Sequence, residues 1–207
     1  MSASPLCLGF LEEVIPSEEK HYVWLRSLSY LEYIGYRKMV KALRYEKVNR
    51  GVYHHLTDEI QHSFMLRELA DKKLGGLKSE PNFGTEHQEM AENYFQDIDS
   101  FVEDWLQRMI QAKNPFLCYL LVSYVVEKRA MQVYPQYFHQ LGERAFKYTI
   151  QKIIQDEAEH LSYLEGKLRE FPALGEANLT ELFDFEEGRF VEFLRDLQGT
   201  FQQDGLN

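Results

Sequence analysis

A chain of 207 residues, 44% hydrophobic and 27% charged, is long enough to bury one substantial core and has the balance of a single globular domain spanning 1-207. Its 33 acidic residues outnumber 23 basic ones for a net charge of -10, and the basic residues are scattered, so neither nucleic acid nor an anionic membrane is an expected partner. Cys7 and Cys118 make no Cys-x-x-Cys, no run is long and apolar enough to span a bilayer, and Met1 to Pro16 lacks a basic start followed by an apolar run, so a cytoplasmic protein is expected.

Helical periodicity dominates and no strand pattern competes. Pro16-Ser17-Glu18-Glu19 reads as a helix start, followed by a stripe at Leu25, Leu28, Glu32, Gly35, Met39 and Ala42/Leu43. Asn49-Arg50-Gly51 reads as the stop signal before a second helix, about Val52 to Leu74, closed by Gly75-Gly76. Lys78 to Thr85 is a loop, and Glu86 to Gln111 a helix with an expected break near Asp97 to Ser100. Asn114-Pro115 is a cap with proline in the first turn of the next helix, whose stripe passes through Leu120, Glu127 and Tyr134 and which Pro135 should kink or end. Beyond Gly142 a further helix carries Phe146, Ile150, Ile153, Glu157, His160 and Leu164, ending at Phe171-Pro172. A last one, about Glu176 to Leu197, docks through Leu179, Leu182, Phe190 and Leu194, with the acidic run from Glu176 to Glu192 as its solvated face.

Four acids stand where these stripes should be apolar. Glu32, Glu59, Glu127 and Glu157 each lie mid-stripe, one per long helix. A carboxylate in a dry core is costly unless paired, and four at similar depth repel unless protonated or neutralised by a cation. Two of them belong to Asp-Glu-x-x-His, at Asp58 to His62 and Asp156 to His160. On a helix, Glu at i and His at i+3 share a face, so both can reach one cation. The preceding Asp leans to the same side and can accept a hydrogen bond from a ligand imidazole, on its own helix or the facing one. Twenty-seven residues separate Glu32 from Glu59 and 30 separate Glu127 from Glu157, the return distance of an antiparallel helix pair with a short turn. The 68 residues from Glu59 to Glu127 fit a long crossover containing extra helix. Glu18-x-x-His21 reads as a chance match, at a helix start and with no Asp before its Glu.

This order of Glu, Glu-x-x-His, Glu, Glu-x-x-His resembles the ferritin-like di-iron-carboxylate superfamily, over about Glu18 to Glu170. The resemblance implies an all-α, ferritin-like four-helix bundle (about 17-171) with a long crossover and an additional C-terminal helix (about 174-198). It implies two metal ions held by Glu32, Glu59, His62, Glu127, Glu157 and His160, with Glu59 and Glu157 bridging and Asp58 and Asp156 behind the histidines. Iron is the expected metal, with manganese or a mixed iron–manganese pair also allowed. The expected function is an oxidase or oxygenase that activates O2 or peroxide and acts on a small organic substrate. A peroxidase or manganese-catalase-like enzyme, a ferroxidase or iron-storage protein, and a metal-free interaction bundle are the alternatives. With no rubredoxin-like Cys-x-x-Cys pairs, electrons are expected from an external donor; a homodimer is allowed.

Of the tyrosines near these ligands, Tyr36, four residues after Glu32, is the candidate catalytic side chain, ahead of Tyr124, Tyr134 and Tyr163. His54 and His55 read as partly exposed helix-end residues, His139 as structural, and Lys128 and Arg129 as surface or supporting ion-pair residues.

Overall fold

The computed structural model describes residues 5–42, 48–111, 113–171, 174 and 176–203, all of whose regular structure is helical. Seven helices are described, α1 (Pro5–Val14), α2 (Glu18–Ala42), α3 (Arg50–Leu74), α4 (Thr85–Ile110), α5 (Pro115–Gln140), α6 (Arg144–Leu168) and α7 (Glu176–Gln203). The expectations at Leu43 and Pro172 lie outside the described residues.

Local chemistry accounts for most boundaries. The Ser17 hydroxyl accepts from the Lys20 amide, 3.3 Å away, at the start of α2. Asn114 accepts from the Leu117 amide at the start of α5. Asn49 accepts from the Val52 amide and so caps the start of α3; the segment read as a stop signal is a start signal. Four further points differ from the sequence reading. α4 runs unbroken through Asp97 to Ser100, because Ile98, Val102 and Trp105 keep one buried stripe across it. α5 does not end at Pro135 but continues to Gln140, with Tyr134 and Tyr137 buried on either side of the proline. α1 was not expected at all, and α7 is longer than its pattern suggested, with Phe201 buried near its end.

Four long helices form a ring. Ser29 and Ser63 exchange hydrogen bonds between α2 and α3. His62 meets Asp156 and Asp58 meets His160 across α3 and α6. Lys128 of α5 meets Glu165 of α6, and Tyr134 of α5 donates to Glu32 of α2. Residue numbers rise along one helix as they fall along the other for α3 and α6, for α2 and α3 from Ser29–Ser63 to Gly35–Glu59, and for α2 and α5 from Glu32–Tyr134 to His21–Tyr137, and only residues 141–143 separate α5 from α6, so neighbours are antiparallel and α3 and α5 lie parallel across the centre. The connection between these two carries α4, which packs on α2 and α5, with α7 laid over α4. α1 closes the end where α2 begins, with Phe10 edge-on to Trp24 at 5.1 Å and stacked on Phe201 at 6.3 Å.

One buried ionic group ties the outer layer down. Arg129 of α5 makes a forked contact to Glu186 of α7, with a closest distance of 2.7 Å, and also bonds Glu187. Tyr94 of α4 donates to Glu186 at 2.6 Å. Arg129 is thus no surface residue, and Glu186, within the run expected to be solvated, is buried. Burial pushes the Glu186 carboxyl up even with the guanidinium beside it, so the pair fixes how three helices dock more than it adds net stability.

Candidate metal centre

The ring brings Glu32, Glu59, His62, Glu127, Glu157 and His160 to one place, where two groups of potential ligands meet. In one, donor atoms of His55, Glu59, Glu127 and His160 all lie within 4.8 Å of one another; in the other, those of Glu32, Glu59, His62 and Glu157 do. Glu59 belongs to both. Glu157 also faces both ways, with Oε1 3.0 Å from His62 Nδ1 and Oε2 3.4 Å from His160 Nδ1. All these side chains are buried except Glu32, which is half-buried.

His55 is the addition that the sequence reading missed. It is not a partly exposed helix-end residue but is buried at 2% exposure, with Nε2 2.7 Å from Glu127 Oε1 and 3.2 Å from Glu59 Oε1. Its ring stacks on that of His160 at 4.1 Å between centroids. The available signal was spacing, since His55, Glu59 and His62 stand at i, i+4 and i+7 on one helical face. His54, the neighbour grouped with it, is exposed.

Each imidazole is held from behind. His62 Nε2 lies 3.0 Å from Asp156 and His160 Nε2 lies 3.2 Å from Asp58, each reaching the aspartate of the facing helix. An ionised carboxylate only accepts, so these outer nitrogens carry the hydrogen and a neutral ring presents a bare Nδ1 to the cluster. His55 is the mirror case, with Nδ1 3.3 Å from the Tyr119 hydroxyl and Nε2 inward. Lys152 in turn bonds Asp156.

Charge in the cluster is strongly coupled. Burial and the neighbouring Glu32 raise the Glu59 carboxyl. Burial opposes charge on Glu157 as well, but His160 and His62 outweigh it and hold that carboxyl at about 2. Glu157 overcomes the burial of His160 and lifts its imidazole to about 9, and Asp156, with Glu157 and Glu32, overcomes the burial of His62 and raises it well above its ordinary value. Protons on the histidines therefore balance the carboxylates in the metal-free arrangement, and a cation would compete for the same lone pairs. Two atoms stay unsatisfied even so: buried His62 Nδ1 and Glu157 Oε1 have no hydrogen-bond partner, although they lie 3.0 Å apart. Both residues belong to the second group of potential ligands. A set of imidazoles and carboxylates without thiolate suits iron, manganese or zinc. Cys118 is no competitor, because burial pushes its thiol up to about 12.

Gly35 completes the cradle. A Cβ there would stand 2.5 Å from Glu59 Oε2, so α2 passes the carboxylate at a distance only glycine allows. Tyr134 donates to Glu32, and burial with the nearby Glu32 charge keeps its hydroxyl protonated well above the ordinary range. Tyr36, the expected catalytic side chain, is half-buried on α2 and is not among the residues that line the cavity beside the cluster. Tyr163 bonds Asn49, and Tyr124 reaches Glu165 at 3.5 Å, both away from the ligands. His139 is exposed. His21 packs in the core, 2.5 Å from the Tyr137 hydroxyl, and burial pushes its imidazole down to about 3, whereas Glu18 is exposed; this Glu-x-x-His pair shares no site.

A cavity of about 380 Å³ reaches the cluster, with Glu32, His55, Glu59, Glu127 and Glu157 in its wall. It runs between α2, α4 and α5 to the end of the bundle where α5 begins. No family model, curated protein or solved structure matches the chain. Among the described residues no helix is long and apolar enough to cross a membrane.

Proposed function

We propose that the protein is a ferritin-like dinuclear metalloenzyme, an oxidase or oxygenase that uses O2 on a small organic substrate in the cytoplasm and draws electrons from an external donor. The observation that carries this reading is the convergence of two ligand groups on a shared Glu59, with every imbedded imidazole backed by its own hydrogen-bond partner. One group would hold an ion through His55, Glu59, Glu127 and His160, the other through Glu32, Glu59, His62 and Glu157. Two iron ions there would supply the electrons and the open coordination positions that O2 reduction needs.

The chain's own groups complete the environment. Asp58, Asp156 and Tyr119 fix which imidazole nitrogen faces inward, and Tyr134 holds Glu32 by donating to it. The extra histidine makes the two positions unequal, two imidazoles in one and one in the other. The cavity favours an organic substrate over iron storage, because its wall beyond the ligands is largely apolar, with Leu28, Met39, Phe95, Val122 and Val126 among its residues.

O2 uptake by protein loaded anaerobically with ferrous iron tests the reading. A single stoichiometric burst is expected, followed by a stall that only a reductant and an oxidisable substrate relieve. Continued uptake as further ferrous iron is added, with large mineral-bearing particles on sizing, would refute it in favour of a ferroxidase. Hydrogen peroxide consumed much faster than O2 would refute it in favour of a peroxidase.

A further inference from the structure

Hydrophobic exposure is concentrated on one face of the bundle. Seven large hydrophobic side chains stand exposed among the described residues, and five of them, Tyr33 and Val40 of α2 with Tyr53, Ile60 and Phe64 of α3, belong to two neighbouring helices. On α3 the spacings of seven and four residues put all three on one line of the helix, on the side opposite buried Glu59, His62 and Leu66. The Ser29–Ser63 bond and the approach of Gly35 to Glu59 fix the register of the two helices, which sets Tyr33 level with Ile60 and Val40 level with Tyr53. Tyr53 and Phe64 are 59% and 61% exposed. α3 packs on α2 and α6, and α4 with α7 over it covers the side between α2 and α5, so no described helix is seated on this outward face.

The charges at its ends match a second copy of the same face. Arg50 and Glu68 are 18 residues apart, five full helical turns, so they stand on one line of α3 at opposite ends of the apolar patch, about 27 Å apart. Both are exposed. Arg50 bonds the His54 ring at 3.3 Å, and neither it nor Glu68 has an ion-pair partner among the described residues. Their midpoint is the level of Glu59, Ile60 and Tyr33. A twofold axis lying across α3 at that level lays the helix antiparallel on its copy and brings each Arg50 to Glu68 of the other copy. The same operation sets Tyr53 near Phe64 of the second copy and Tyr33 beside its own counterpart. α2 and α3 side by side present a face about 37 Å long and about 20 Å wide, on the order of 700 Å², close to the ~800 Å² that a stable interface buries per partner.

We infer that this face is the interface of a homodimer, formed by α3 packed antiparallel on α3 of a second copy, with an Arg50–Glu68 ion pair at each end. The exposed rings and aliphatic side chains supply the affinity by leaving water, and aromatic side chains are what interface centres are enriched in. The charges fix the antiparallel register. Because the pattern complements itself under a twofold rotation, no second kind of protein is needed to satisfy it. The inference is independent of the dinuclear reading, since none of these residues belongs to either group of potential ligands.

Analytical ultracentrifugation of the full chain tests this. The wild-type protein is expected to sediment as a dimer at micromolar concentration. Tyr53→Glu with Phe64→Glu should raise the dimer dissociation constant at least about 100-fold. Met109→Glu and Tyr148→Glu, at the two exposed large hydrophobic side chains outside the face, should leave it unchanged. Arg50→Glu and Glu68→Arg should each weaken the dimer about tenfold, and the two together should restore it to within about twofold. Arg50→Glu places an acid in the first turn of α3, where the helix dipole favours it, so circular dichroism should show the fold intact while the dimer weakens. A wild-type chain that stays monomeric at high micromolar concentration would overturn the inference. So would a dimer indifferent to Tyr53→Glu with Phe64→Glu, or one lost through Met109→Glu or Tyr148→Glu. A double charge reversal that fails to restore the dimer would overturn the antiparallel pairing.

Discussion

Replacing Gly35 with alanine should move stability and metal affinity in opposite directions. The new methyl group would stand 2.5 Å from Glu59 Oε2, against an ordinary contact of about 3.5 Å, so the carboxylate must retreat by about 1 Å. The obstacle is the tip of a flexible side chain, so the fold can yield at little cost. A helix-interior Gly→Ala change itself stabilises by about 1 kcal/mol, equivalent to about 2–4 °C in a protein of this size. The metal-free variant should therefore melt at the same temperature or slightly higher. Ligand distances tolerate only about 0.2 Å, and Glu59 belongs to both groups of potential ligands, so on the proposed reading metal affinity should fall about 10- to 100-fold, judged by what displacing supporting groups costs elsewhere. Competition against a chelator of known affinity, beside calorimetric melting of the metal-free protein, reads both quantities. Unchanged affinity would refute the placement of Glu59 at the ions. A metal-free form that melts many degrees lower would show that Gly35 is needed for packing and not for the site.

Other perturbations probe separate parts of the structure. Arg129→Met strands buried Glu186 and should cost about 3–5 kcal/mol in chemical denaturation, whereas Arg129→Met with Glu186→Gln should recover most of the loss. In the metal-free protein the proton held on His160 up to about 9, against 6.5 for a free imidazole, stabilises the fold fully below pH 6.5. That stability, on the order of 3 kcal/mol, should be lost as pH rises toward 9, a decline absent from metal-loaded protein whose imidazoles are already deprotonated. Glu157, held at about 2 against 4.5, contributes with the opposite sign, its share being present above pH 4.5 and lost on acidification toward 2. His55→Ala should leave one ion position weakened and lower the metal content of dialysed protein, while His21→Ala should leave it unchanged. Asp58→Asn and Asp156→Asn should each weaken metal binding about 10- to 100-fold without emptying the core.

Much of the cluster can be read from the chain because helical geometry converts spacing into proximity. Glu59 and His62, or Glu157 and His160, share a face whatever surrounds them, and a carboxylate in an apolar stripe is conspicuous. His55 obeys the same rule but lies near a helix start, where burial depends on what α5 brings up; Tyr119 and Glu127 come from 64 and 72 residues away. The Arg129–Glu186–Tyr94 group was invisible for a related reason, since an acid on an amphipathic helix reads as solvated until a buried guanidinium is placed beside it. Helix boundaries failed where one residue type serves two purposes. Asn49 can end one helix or cap the next, and only the bond to the Val52 amide decides. α1 spans ten residues, too few for periodicity to stand out, and owes its place to Phe10 packing on Trp24 and Phe201.

Whether two metal ions share this cluster is read out by anomalous scattering at the iron edge from crystals of iron-loaded protein. Two peaks are predicted, one among His55, Glu59, Glu127 and His160 and the other among Glu32, Glu59, His62 and Glu157, with the Glu59 carboxylate between them. Density showing no ion within the bundle, with the carboxylates paired instead to protonated His62 and His160, would contradict it.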